Sequence, residues 1–274
     1  MNQTETLIKR TFTFMVAIVA AIVVIGLIRF LAGPGLQEIL LDADSGAWPF
    51  TVQNVMWVAL FVGFGELVLR WSAAKDEESQ LRRGYLPTDG RALDMGMLGK
   101  IRDSIASRKF ARNAFLPRLI GRTIDQYRMS GDKGESLSVM NASLELYMHE
   151  IDLRYSILRY LTWLIPSLGF IGTVMGIMFA LQYAGVPANA EAEDFLYQVT
   201  QRLGVAFTTT LLALIMSAVL VLIQSMVQSK EERALNAAGQ YAIDNLILRL
   251  GSGPGGDPVL AEPAPVQTTP LAAE

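Results

Sequence analysis

The sequence predicts an all-α, polytopic membrane protein with four transmembrane helices and a helical cytoplasmic domain built partly on extensions of those helices. Three observations carry that reading. Of the 274 residues 51% are apolar and the mean hydropathy is positive, a balance outside that of ordinary soluble domains. Two uncharged runs, 160–183 and 203–228, each exceed the roughly 20 residues that cross a hydrocarbon core about 30 Å thick. Two further apolar runs lie near the N-terminus, and the polar segment separating the two pairs spaces its apolar residues at helical intervals.

The first ten residues are polar and end in Lys9 and Arg10, after which 11–28 runs uncharged up to Arg29. This run is too long for a signal-peptide core and no small-residue cleavage site precedes a soluble domain, so a retained span is expected. Gly33-Pro34-Gly35 breaks the helix. The link 33–48 has no lysine or arginine and carries Glu38, Asp42 and Asp44. A second span is expected over 50–69, with Glu66 in its last turns. Arg70, four residues on at the spacing of a helical ion pair, ends it together with Trp71. Residues 1–71 thus form an N-terminal two-span region.

Residues 72–154 read as the cytoplasmic helical domain, with helical patterning over 91–110 and 114–127, a turn at 131–134, and a helix over 135–154 that runs into the third span. Residues 155–229 form a second two-span region, whose link 184–197 lacks basic residues and carries Glu191, Glu193 and Asp194. Residues 230–250 read as a further cytoplasmic helix. The Gly-, Pro- and Ala-rich stretch 251–274 reads as a disordered tail. Basic residues cluster in the N-terminus and in 72–154 and are missing from both short links, so the positive-inside rule puts both termini in the cytoplasm.

Composition excludes several function classes. The net charge of −3 comes from interleaved acids and bases, which argues against a nucleic-acid partner. There is no cysteine and a single histidine, His149, so thiolate chemistry is ruled out and a histidine zinc site is not expected. No phosphate loop, paired metal-ligand motif or nucleophile elbow is present, and neither enzymatic activity nor a cofactor is expected.

The informative residues lie in the last two spans. At helical spacing one face presents Gly169, Thr173, Gly176 and Ala180, and another presents Ala206, Thr210, Ala213 and Ser217, both at intervals of 4, 3 and 4. Helices in lipid associate by close backbone approach and hydrogen bonding, so each stripe is a packing face, to which Gly172 adds width. Thr173, Thr208, Thr209 and Thr210 are the polar groups at depth. A threonine hydroxyl either satisfies itself on the carbonyl four residues earlier or relays or coordinates a cation. None of them binds and releases a proton near neutral pH, so proton conduction would need a carboxylate from another chain. Glu66 with Arg70 reads as an ion pair at the interface, with a role in admitting ions as the alternative.

The stretch 168–178, LGFIGTVMGIM, together with the small-residue and threonine pattern of 204–217, resembles the MotA/TolQ/ExbB proton-channel family. The motif is most similar to the TolQ and ExbB branch, and the four-span topology is similar to MotA. The resemblance covers roughly 151–228. It implies a multi-pass protein of the bacterial inner membrane, a homo-pentamer around a partner dimer of the single-span ExbD/TolR/MotB type, and a membrane aspartate in that partner which binds the ion. Thr173 and Thr210 would face that aspartate, with Thr209 and Ser217 along the ion path and Gly169, Gly172, Gly176, Ala180, Ala206 and Ala213 packing helices at the channel axis. The ExbB branch has a glutamate where Val205 stands here. The run Thr208–Thr210 resembles sodium-driven stators, so the ion is H+ or Na+. The function implied is a channel or stator subunit that turns the proton-motive force into mechanical work. The alternative is a non-conducting membrane scaffold that recruits proteins through its cytoplasmic domain. A secondary transporter is disfavoured by the lack of an internal repeat.

Overall fold

The computed structural model describes residues 3–43, 47–87, 92–108, 114–187 and 193–251. It is helical throughout, without strands among these residues. Eight α-helices follow in order: α1 (Gln3–Leu31), α2 (Pro34–Leu41), α3 (Val52–Leu81), α4 (Met95–Ser107), α5 (Phe115–Ser130), α6 (Lys133–Arg154), α7 (Ser156–Ala184) and α8 (Phe195–Asn245). Four helical stretches are long and apolar enough to cross a membrane: α1 from Ile8, α3, α7 as the continuation of α6, and α8. Most of the expected tail and the link residues Asp44 and Glu191 lie outside the described residues.

Local chemistry sets the helix ends. Gly33 precedes α2 in an extended conformation with Pro34 at the first helical position, where a missing N–H costs nothing. Thr51 starts α3: its hydroxyl accepts from the Asn54 N–H and donates to the Leu41 carbonyl, 2.9 Å away. Trp57 donates to the Leu40 carbonyl at 3.0 Å, so the end of α2 is stapled to the start of α3. Asp132 caps α6 through the Gly134 N–H at 2.7 Å, and Gly131 closes α5 at φ 67°, a conformation open to glycine and strained for most other residues.

The structure departs from the sequence reading in three places. The link after α1 contains the helix α2. The helix that carries the second span does not stop at Arg70 and Trp71 but continues as a polar extension to Leu81. The fourth span and the following polar segment are one helix of 51 residues, about 77 Å long at 1.5 Å per residue. Nothing in 228–236 breaks a helix, so the change from apolar to charged residues alters the surroundings of the chain and not its conformation.

The spans pack through small residues. Ala17 and Ala21 of α1 are buried, and a Cβ on Gly65 of α3 would touch the Ala17 methyl at 3.1 Å. Gly63 of α3 lies under Leu220 of α8 and Leu161 of α7, drawing three helices together. At the α4–α6 end, Phe115, Leu119, Ile120 and Ile124 of α5 join Met140, Tyr147 and Ile151 of α6 in a fully buried core. Trp71 of α3 carries the ammonium groups of Lys75 and, from α8, Lys230, the latter 4.4 Å from the ring centroid.

The joint between spans and polar helices is electrostatic. α6 gives way to α7 at Tyr155, which donates to the buried carboxylate of Glu231 on α8 at 3.1 Å, while Arg154 reaches the other oxygen at 3.0 Å. Beside it Glu77, in the polar extension of α3 about two turns beyond Arg70, accepts from the Phe115 N–H at 2.9 Å. It thereby supplies the cap that Ala114 cannot give α5. Burial pushes the Glu77 carboxyl up to about 7, and Glu231 adds to this, against the opposing pull of the Phe115 N–H, Arg154 and Arg118. The folded state therefore holds the Glu77 proton more tightly than the unfolded chain does. This contribution to stability is complete below about pH 4.5 and is lost as the pH rises through about 7. Thermal unfolding in detergent should show a loss of roughly 2 kcal/mol over that window. Glu77→Gln keeps the acceptor and removes the titration, so it should flatten the profile; an unchanged profile would show that another group dominates.

Candidate functional site

The most extensive helix contact in the chain is between α7 and α8, and it is made by the two small-residue stripes facing each other. Gly169, Gly172, Ala180, Ala206 and Ala213 are all buried. A Cβ on Gly176 would lie 2.6 Å from the Ala206 methyl, and one on Gly169 or Gly172 would overlap Ala213 or Thr209. Glycine is required at these positions because the methyl groups of Ala213, Thr209 and Ala206 occupy the space that a Cβ would take.

That approach brings Thr173 and Thr210 into hydrogen-bond contact through their hydroxyls. Two carbonyls are shared between them. Gly169 O lies 3.2 Å from the Thr173 hydroxyl and 3.4 Å from that of Thr210, and Ala206 O lies 3.1 and 3.4 Å away. Two hydroxyl protons thus have more acceptors than they fill. Thr173 can donate to Thr210 while Thr210 donates to a carbonyl, or the order can reverse, because a hydroxyl both donates and accepts and rotates freely. Each hydroxyl thus reaches the carbonyl four residues earlier and also bridges the helices.

Ser217 is held differently. Pro166 in the middle of α7 has no N–H, which leaves the Thr162 carbonyl without its helical donor. Ser217 of α8 donates to that carbonyl at 3.1 Å, restoring the bond from outside as the hydrocarbon environment demands. Thr208 and Thr209 turn back to the Val205 carbonyl at 3.0 and 2.7 Å.

Thr209 has a partner that sequence reasoning missed. Gln53, on the first turn of α3 and 1% exposed, donates its side-chain amide to the Thr209 hydroxyl at 3.0 Å. An amide in the first turn of an apolar run reads as ordinary solvation of a helix start, and only the packing of α3 on α8 shows otherwise.

Glu66 is fully buried, with Arg70 donating through Nε at 3.1 Å and the Arg10 guanidinium of α1 in an ion pair with it at 3.4 Å. The helical pair is thus a triad that also pins the first span. Glu66 is about 20 Å along α3 from Gln53, so the structure does not bring it to the threonine layer.

Four apolar helical stretches, with an uncharged hydroxyl layer between the last two, define a multi-pass membrane protein. Residues 107–239, from the end of α4 into α8, match the model of the MotA/TolQ/ExbB proton channel family. No curated protein and no solved structure matches the chain. The hydroxyl pair lies inside the matched stretch, whereas α1 to α3, Gln53 included, lie outside it.

The packing makes a direct prediction. Gly172→Leu should lower thermal stability in detergent by at least about 3 kcal/mol, whereas Gly204→Leu, where nothing lies within 4 Å, should leave it unchanged.

Proposed function

We propose that the chain is the channel-forming subunit of an ion-driven stator of the bacterial inner membrane. It assembles as a homo-pentamer around a single-span partner dimer and couples proton flow to mechanical work. Both termini and helices α4 to α6 face the cytoplasm in this reading, and α2 faces outward. The observation that carries it is the Thr173–Thr210 pair, whose protons can be redistributed among more acceptors than they fill. A layer of this kind passes a proton on without charging a buried group, whereas a fixed charge near a helix centre costs on the order of 3 kcal/mol. Neither hydroxyl titrates near neutral pH. The acid that takes up and releases the proton comes from the partner's membrane aspartate. One charge crossing 100 mV releases about 2.3 kcal/mol, enough to bias a rearrangement of helix packing.

The exposed apolar residues of α7, among them Phe170, Ile171, Val174 and Met178, are covered in this reading by neighbouring subunits and lipid. In vesicles holding the chain and its partner, Thr173→Val and Thr210→Val should abolish partner-dependent proton flux while native mass spectrometry still reports the intact ring. Thr173→Ser, which keeps the hydroxyl, should retain flux. Normal flux in both valine variants would favour a scaffold whose stripes only pack helices.

A further inference from the structure

A cavity of about 460 Å³ opens between α2, the start of α3 and the α2-side ends of α7 and α8. It extends along α8 from Gln198 to Thr209, about 16 Å at helical rise, or half the thickness of a hydrocarbon core. Its inner end is polar and deeply buried. Gln53 and Thr209 line it at 1% and 2% exposure, and Gly172 and Gly176 form part of its wall because they have no side chains to fill it. The Gln53 amide donates to Thr209, and the cavity has room for on the order of ten waters.

Polar contacts border the mouth. Glu38 of α2 accepts from Gln201 of α8 at 2.9 Å, and the Arg202 guanidinium rests 4.9 Å from the centroid of the Tyr183 ring. Among the described residues Glu38 and Asp42 outnumber Arg202 at the rim, which favours cations over anions.

We infer that this cavity is the access route by which a hydrated monovalent cation, a proton on water or Na+, reaches the threonine layer from the α2 side. The route runs within one subunit, with Gln53 as the positioning residue at its inner end. It rests on the channel reading above. The cavity ends at Thr209, the residue before Thr210 in α8, and Thr173 and Thr210 themselves lie outside its lining. The Gln53 carbonyl offers the last ligand before that pair, and its amide N–H fixes the Thr209 hydroxyl so that Thr209 keeps its proton on Val205 O.

The chain has no cysteine, so single thiols can be read without background. Val205→Cys and Met175→Cys place thiols on the cavity wall, and Leu214→Cys places one on an exposed apolar face of the same helix. In sealed vesicles of known orientation holding the chain and its partner, a membrane-impermeant methanethiosulfonate reagent applied on the α2 side should modify both wall thiols at least tenfold faster than Leu214→Cys. Applied on the other side it should modify neither. Gln53→Leu should lower proton or Na+ flux about tenfold with ring mass and partner copurification unchanged, and Gln53→Asn should recover part of it. Wall thiols that stay unmodified in both variants would overturn the route, and so would modified thiols with unchanged flux in Gln53→Leu. Absence of flux in the unaltered complex would defeat the channel reading, and the labelling would then show the cavity to be water-filled or closed independently of conduction.

Discussion

The closeness of α7 and α8 leaves no space for a Cβ at Gly169, Gly172 or Gly176, and this is what presses Thr173 against Thr210. In lipid there is no hydrophobic gain from bringing two helices together, so the contact must come from backbone proximity and the polar bonds it permits. Widening the gap by one methyl would separate the hydroxyls from each other and from the carbonyls they share. The bond from Ser217 to the carbonyl freed by Pro166 depends on the same approach, one helical turn or two further along. Packing and polar chemistry here form a single constraint.

Charge is kept to the two ends of the spans. Near one membrane boundary Glu66 is held between Arg10 and Arg70, and further along the polar extensions Glu231 is held by Arg154 and Tyr155. Each buried carboxylate ties helices distant in sequence, and stripping it of its arginine partners would leave an uncompensated buried charge, costing about 3–5 kcal/mol. Both clamps lie on the same side of the Thr173–Thr210 pair, towards the polar extensions, and the α7–α8 contact itself is uncharged.

Much of this was legible in the sequence. The four apolar runs appear as helices, the matched 4, 3, 4 spacing of the two stripes corresponds to faces that meet, and Thr173 and Thr210 come together. What was not legible depended on contacts between segments far apart. Gln53 gains meaning only from Thr209, which is 156 residues away, and Arg10 only from the fold that sets α1 against α3. Helix α2 was hidden because eight residues are too few to show a period, and its stability comes from the Thr51 and Trp57 bonds to its last carbonyls. The continuity of α8 was hidden for the opposite reason: a change in composition was read as an end although no residue there stops a helix.

That continuity has a mechanical consequence. From Thr210 to Asn245 the helix runs about 52 Å without a joint, so tilting it by one degree at the hydroxyl pair displaces its far end by about 0.9 Å. The same rod meets Glu231 and the α6–α7 junction on the way. A sub-ångström adjustment where the threonines touch is thus delivered, enlarged and with its direction kept, to the surface formed by the polar helices, so α8 works as a lever arm with its clamp partway along.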